Sequence, residues 1–207
     1  GDLLAALRAF LQVDALCKEI SDKRGEAEAL NNIANVHAYL GDFVSALDYH
    51  FQSLAVCEAH PYPEARTSAF LNLGVIYHDL GQYHEALEYY LKGLEGAQSE
   101  PFLHAMALRN IGRSHQKLAQ NDLARSYFGQ SLQLSQESSD LIGVSNILDN
   151  LAILAMSLGQ ESEAEGHLQQ SLQLKLEAGD TRGQSETLVL LGQLSLQERK
   201  LEEAKTH

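Results

Sequence analysis

A unit of about 40 residues recurs along the chain, and it constrains the fold more than any other feature. Repeat starts fall at Ala27, Thr67, Ala105, Ser145 and Ser185, with spacings of 40, 38, 40 and 40 residues. Between Phe70 and Leu94, apolar or small residues recur every three or four positions on both sides of a Leu80-Gly81 break. This spacing predicts two amphipathic helices joined by a turn at the glycine. Such a hairpin is too small to bury its own apolar face, so neighbouring hairpins have to stack.

Three positions keep their character from copy to copy. One is alanine in every copy: Ala6, Ala46, Ala86, Ala124, Ala164 and Ala204. A second is always Leu or Ile: Ile33, Leu73, Ile111, Leu151 and Leu191. The residue after it is always small: Ala34, Gly74, Gly112, Ala152 and Gly192. Only small side chains fit where two helix backbones approach closely, so the alanine row predicts a tight helix crossing in each copy.

These repeats resemble the tetratricopeptide repeat (TPR) family over essentially the whole chain. The long period is similar to the repeats of kinesin light chains, Pins-type polarity scaffolds and bacterial peptide-pheromone receptors. One departure is the position where the family usually has a large aromatic residue, which here reads Leu30, Phe70, Leu108, Leu148 and Leu188. The resemblance implies an all-α fold, a right-handed superhelical solenoid of antiparallel helix pairs.

The phase of the repeats predicts one array over residues 1–207. Residues 1–20 are read as the second helix of a truncated repeat, 27–60, 67–98, 105–138 and 145–178 as full repeats, and 185–207 as a partial repeat. Glu198-Arg199 stands where Leu-Gly is expected, and a second helix is predicted to begin at Leu201. Leu3, Leu7 and Phe10 are expected to lack a covering helix, so homo-oligomers through open repeat ends are an expected partner class.

Composition and charge exclude several function classes. A net charge of −13 disfavours nucleic-acid binding, and no apolar run is long enough to span a membrane. Cys17 and Cys57 occupy the same repeat position, where stacked hairpins should hold them about 8–10 Å apart. This exceeds disulfide reach, so reduced thiols and a cytoplasmic location are expected. The sequence has no phosphate-binding loop, no zinc-ligand spacing and no recognisable catalytic motif, so we expect neither a cofactor nor an enzyme.

In TPR proteins the first helix of each hairpin lines the concave groove, and the resemblance implies which residues face it here. One row reads Asn32, Asn72, Asn110, Asn150 and then Leu190. Asparagine is disfavoured within a helix, because its amide competes for backbone hydrogen bonds. A primary amide both donates and accepts, so this row predicts a grip on the backbone of an extended peptide. The alternative is that each amide bonds a neighbouring helix and only orders the stack.

A basic stripe accompanies this row. Arg109, Arg113 and Lys117 are four residues apart and share one helix face, which suits recognition of an acidic side chain. Alternatively, they pair internally with Asp149 or Asp79. Asn35 belongs to the same groove row as Arg113 and completes the predicted peptide-binding residues.

Together these features predict a non-catalytic scaffold that binds an extended peptide or protein segment, with acidic character, in its concave groove. The alternative function is a regulatory or self-association module of a larger signalling protein. A conserved groove would favour the first function and a conserved convex face or terminal helix the second.

Overall fold

The computed structural model describes the backbone of residues 2–205 and the side chains of residues 2–197. All regular structure in this range is helical, and it comprises ten α-helices. They are α1 Leu3–Glu19, α2 Lys23–Tyr39, α3 Phe43–Ala59, α4 Pro63–Asp79, α5 Tyr83–Gly96, α6 Pro101–Lys117, α7 Asn121–Glu137, α8 Leu141–Ser157, α9 Glu161–Glu177 and α10 Thr181–Lys205. The predicted all-α fold of paired helices is confirmed.

The helices form two compact units, and the chain divides between Ser99 and Glu100. In unit 1, α2 pairs with α3 and α4 with α5, while α1 packs on α2 and α3 on α4. In unit 2, α6 pairs with α7 and α8 with α9, while α10 packs on α9, and α7 and α6 both contact α8. Each unit therefore repeats one hairpin. The single array over residues 1–207 stays a prediction.

The turns inside the hairpins lie where the glycine breaks predict them. Gly41, Gly81 and Gly159 have φ values of 79°, 77° and 70°, in the left-handed region that ends many helices. The equivalent residue in the third full hairpin is Ala119, which adopts a φ of 56°. The turn geometry is therefore set by the repeat and not by glycine alone.

The Asp-x-x-Gly connectors cap the helices that follow them. The carboxylates of Asp22, Asp140 and Asp180 accept hydrogen bonds from the backbone N–H three residues later, at 3.0, 2.9 and 2.9 Å. A Cβ at Gly143 would lie 2.1 Å from the capping carboxylate of Asp140. Glycine is therefore needed here for space. Pro63 and Pro101 are the first residues of α4 and α6, where a missing N–H costs nothing.

The core of each hairpin pairs a small residue with a larger one. Gly74 lies against the Tyr90 ring and Gly112 against the Phe128 ring. In the other two full hairpins the equivalent position is alanine, Ala34 and Ala152, and Ala152 packs in one core cluster with Leu168. The helix-crossing alanines Ala46, Ala86, Ala124 and Ala164 have no exposed surface. The tight crossing predicted for the alanine row is thus confirmed in the four full hairpins.

Two expectations about the chain ends need correction. α10 runs from Thr181 to Lys205 without a turn at Glu198-Arg199, where the full hairpins turn at a glycine or, at Ala119, at an alanine with positive φ. Thr206 and His207 lie outside the described residues. Leu3, Leu7 and Phe10 are half-buried and not exposed, in a helix that packs on α2. The exposed large apolar side chains of α1 are instead Leu4, Leu11, Val13 and Leu16, followed by Ile20 at its C-cap.

Candidate functional site

The predicted basic stripe lines a pocket on unit 2. Arg109 and Arg113 are half-buried and Lys117 is exposed, all on the same face of α6. The pocket has a volume of about 630 Å³ and continues onto α8 and α10. Its other lining residues are Gln116, Asn146, Asp149, Asn150, Ile153, Ser157, Glu186 and Leu190. The structure therefore brings four predicted site residues together: Arg109, Arg113, Lys117 and Asn150.

Asp149 is the alternative internal ion-pair partner of the basic stripe, but its carboxylate already accepts hydrogen bonds from two other residues. The Lys175 ammonium donates a short hydrogen bond to its carboxylate. The Thr187 hydroxyl also donates to Asp149, with O–O distances of 3.1 and 3.2 Å, and Lys175 Nζ lies 2.9 Å from Thr187 Oγ1. Lys175 has no exposed surface. Asp149 therefore neutralises a buried lysine, which leaves the carboxylate less available to the arginines.

The charge of the pocket follows from these contacts. Arg113 and Lys117 form no ion pair within the part of the chain that the structure describes. Glu186 lies on the far rim of the pocket, where it accepts from Arg182 at 3.1 Å. The α6 side of the pocket is consequently positive, in a chain of net charge −13.

The four predicted asparagines of the groove row have different environments. Asn32 is exposed, and Asn72 and Asn150 are half-buried. Asn110 is only 3% exposed, and its Oδ1 is buried without a protein hydrogen-bond partner. Asn150 Nδ2 donates to the Asn146 carbonyl at 2.7 Å, within its own helix. In the present structure only Asn72 and Asn150 combine partial exposure with a place in a pocket.

A second pocket, of about 310 Å³, lies in unit 1 and contains Asn35 and Asn72. It is bounded by α2, α3 and α4, and its other lining residues are Ala38, Tyr39, Phe43, His50, Val75, Ile76 and Asp79. Asn31, one position before Asn32, is buried and donates through Nδ2 to the Ala65 carbonyl at 3.0 Å. The two pockets thus account for six of the eight predicted site residues, without Asn32 and Asn110.

Sequence reasoning missed a row of structural hydroxyls. Ser53, Ser131 and Ser171 are buried and donate to backbone carbonyls of the paired first helix, at 2.9, 2.6 and 3.0 Å. The acceptors are the carbonyls of Ala27, Ala105 and Ser145, the first residues of their repeats. The signal was present, because serine recurs at one repeat position in three of the four full copies. Lys175 and His50 were missed as well, since each is the odd member of its row.

Comparison with protein-family models decides the family. Models of the tetratricopeptide repeat match residues 27–60, 65–137 and 103–177, which together cover more than half of the chain. The chain belongs to the tetratricopeptide repeat family. No curated protein sequence matches this TPR chain. None of its described helices is long and apolar enough to cross a membrane.

Solved structures share the fold at low sequence identity. The chain is similar to BtubC (BKLC) from P. vanneervenii, with 16% identity, a TM-score of 0.79, and coverage of 100% of this chain and 88% of that one. It is also similar to aspartyl phosphate phosphatase F from Bacillus subtilis, with 21% identity, a TM-score of 0.82 and coverage of 98% and 54%. A Rap protein complexed with competence and sporulation factor has 17% identity, a TM-score of 0.76 and coverage of 98% and 63%. The chain thus spans little more than half of the last two proteins.

Proposed function

We propose that this TPR chain is a non-catalytic interaction scaffold, and that the groove of unit 2 binds an extended peptide or protein segment carrying an acidic side chain. One observation carries the proposal: the pocket along α6 and α8 joins a positive stripe to a half-buried asparagine. Arg113 supplies a planar guanidinium that can hold a carboxylate through two hydrogen bonds. Lys117 adds a second positive charge on the same helix face.

In this proposal, the asparagines that line a pocket form the hydrogen bonds to the backbone of the bound peptide. Asn150 adjoins the basic stripe in unit 2, and Asn72 lies in the unit 1 pocket. The Asn150 amide already donates to Asn146, so its Oδ1 is the atom offered to a ligand N–H. Asn110 contributes to peptide binding only if the ligand reaches its buried Oδ1 and donates a hydrogen bond to it.

Apolar surface beside the charges supports binding of a chain segment over a simple anion. Ile153 is 39% exposed on the pocket wall, and Leu190 is half-buried at its far side. An extended ligand advances about 3.3 Å per residue, so neighbouring ligand side chains can reach the apolar wall and the basic stripe. The complex of a Rap protein with competence and sporulation factor offers a precedent for ligand binding by this fold. The buried free thiols of Cys17 and Cys57 fit a cytoplasmic setting.

A peptide array tests this proposal. The array displays extended peptides that differ only in one central residue, either Glu, Gln or Lys, and the tightest binder is then measured in solution. Glu peptides should bind best, and Arg113→Glu should weaken their binding at least tenfold while hardly affecting Gln peptides. The loss should shrink as salt rises, because the contact is electrostatic.

The matched control is Arg125→Glu. Arg125 is an exposed arginine of the same unit, on α7, where it pairs with Glu163 at 2.7 Å outside the pocket. Arg125→Glu changes the net charge by the same amount as Arg113→Glu and should leave peptide binding nearly unchanged. Equal loss in both variants would reduce the effect to net charge, and equal binding of Glu and Lys peptides would reject the proposed specificity.

A further inference from the structure

The unit 1 pocket has a histidine in its wall whose hydrogen-bonding state can be worked out from its neighbours. His50 has no exposed surface, and its Nδ1 lies 2.9 Å from Asn31 Oδ1. The orientation of the Asn31 amide is fixed, because its Nδ2 donates to the Ala65 carbonyl at 3.0 Å. An amide oxygen only accepts, so Nδ1 of His50 carries the proton.

The other ring nitrogen of His50 is then a bare acceptor. In the neutral tautomer with a proton on Nδ1, Nε2 offers a lone pair and no hydrogen. This Nε2 is buried and has no protein hydrogen-bond partner. Burial lowers the pKa of His50 to about 4, so the ring stays neutral at physiological pH. A buried acceptor without a partner is unusual in folded proteins and calls for a donor.

The pocket around His50 indicates the kind of donor. Phe43, Val75 and Ile76 provide an apolar wall, and the amides of Asn35 and Asn72 provide polar groups. The volume of about 310 Å³ is enough for an aromatic side chain. Asp79 also lines the pocket, but it is exposed and its charge is screened by water, so a cation would still be penalised at Nε2 by the burial that keeps the imidazole uncharged. An uncharged donor on an apolar body fits both properties.

We propose that the unit 1 pocket is a specificity site for a phenolic side chain, such as that of a tyrosine in the bound segment, whose hydroxyl donates to His50 Nε2. Because Nε2 itself is covered, entry of the phenol displaces a lining side chain, and Asn35 and Asn72 are only half-buried. The biological meaning of this site rests on the proposed function, since a tyrosine would reach it as part of a peptide. The pocket chemistry does not depend on the basic stripe of unit 2.

Two small molecules of similar shape test the site directly. The full chain, labelled with ¹⁵N-histidine, is titrated with phenol and, separately, with toluene, which lacks the hydroxyl. Phenol should shift the His50 Nε2 resonance upfield in a saturable manner, as expected for a nitrogen that accepts a hydrogen bond. Toluene should leave that resonance nearly in place and bind about five- to tenfold more weakly.

Three variants keep the test decisive. His50→Leu should abolish the preference for phenol over toluene, whereas His84→Leu, an exposed histidine of α5, should preserve it. Should His50→Leu fail to fold, Val75→Trp fills the pocket from an exposed position and keeps the imidazole. Val75→Trp should abolish the phenol-induced shift.

The inference is overturned if phenol does not move the Nε2 resonance of His50. This holds whether a water molecule already donates to Nε2 in the free protein or phenol cannot reach Nε2. Phenol binding that survives Val75→Trp would overturn it as well. These results are distinguishable from failure of the proposed function. If phenol shifts the Nε2 resonance but Arg113→Glu does not weaken the binding of acidic peptides, only the unit 2 proposal fails. If Arg113-dependent binding is present without a phenol response, only the unit 1 site fails.

Discussion

Replacing Gly112 by alanine should destabilise unit 2, although alanine is the better helix former. The added Cβ would lie 2.7 Å from Cδ1 and from Cε1 of Phe128, and 3.3 Å from the Ala124 carbonyl oxygen. Ordinary carbon contacts are about 3.5–4.0 Å, so the ring has to retreat by roughly 1 Å. Phe128 has no exposed surface and packs in the core with Ile147 and Leu154. The ring therefore has nowhere open to move.

The expected magnitude is the balance of two terms. Overpacking of a core costs about 1–3 kcal/mol, and Gly→Ala in a helix returns about 1 kcal/mol. The balance lowers the free energy of unfolding of Gly112→Ala by about 0–2 kcal/mol, and the upper half of this range is expected because the Phe128 ring is fully buried. Gly129→Ala is the matched control, because Gly129 is an exposed helical glycine of the same unit with no atom within 4 Å of its added Cβ. That variant should be about 1 kcal/mol more stable than the parent chain.

Urea unfolding followed by far-UV circular dichroism measures both variants. The repeat itself supplies a compensating change, since Ala152 stands opposite Leu168 at the equivalent position. Adding Phe128→Leu to Gly112→Ala should therefore cost less than the sum of the two single changes. Equal stability changes at Gly112 and Gly129, or strict additivity in the double variant, would refute the proposed clash between Gly112 and the ring.

Three further predictions concern buried groups, each measured by urea unfolding. The pKa of His50 is about 4 in the folded protein and 6.5 in the unfolded chain, so between these pH values only the unfolded chain binds the extra proton. The free energy of unfolding should therefore fall by up to about 3 kcal/mol as the pH drops from above 6.5 to below 4. The fall should be smaller in His50→Phe. Asp149→Ala strands the buried Lys175 ammonium and should cost about 3–5 kcal/mol, whereas Asp149→Leu combined with Lys175→Met should cost clearly less. Ala86→Leu should cost about 1–3 kcal/mol, and an unchanged stability would show that α4 and α5 do not cross tightly there.

The fold was predictable because each repeat satisfies the same packing condition. Alanine at the helix crossing and a small residue after the buried Leu or Ile are required wherever two helices approach closely, so they recur and reveal the hairpin. Ala86, Leu73 and Ile111 accordingly have no exposed surface. The last turn was predicted wrongly: Glu198-Arg199 replaces the Leu-Gly that three of the four full hairpins have, and α10 continues through it.

The candidate site was predictable in part, for a physical reason. The repeat fixes which helix a residue belongs to, but the burial of its side chain also depends on the adjacent repeats. Asn32 and Asn110 share a repeat position, yet one is exposed and the other is 3% exposed. Arg109 and Asp149 likewise share a position, and only the structure shows that Asp149 meets a buried lysine from α9.

Photo-crosslinking of the tightest-binding array peptide tests directly whether acidic peptides bind at the unit 2 pocket. A benzoylphenylalanine replaces Ile153, on the pocket wall of unit 2, or Leu123, a comparably exposed residue of α7 that does not line the pocket. The probe at Ile153 should capture the Glu peptide, and Arg113→Glu should abolish this capture, while the probe at Leu123 should capture almost none. Stronger capture at Leu123, or capture at Ile153 that persists with Arg113→Glu, would contradict the groove as the binding site.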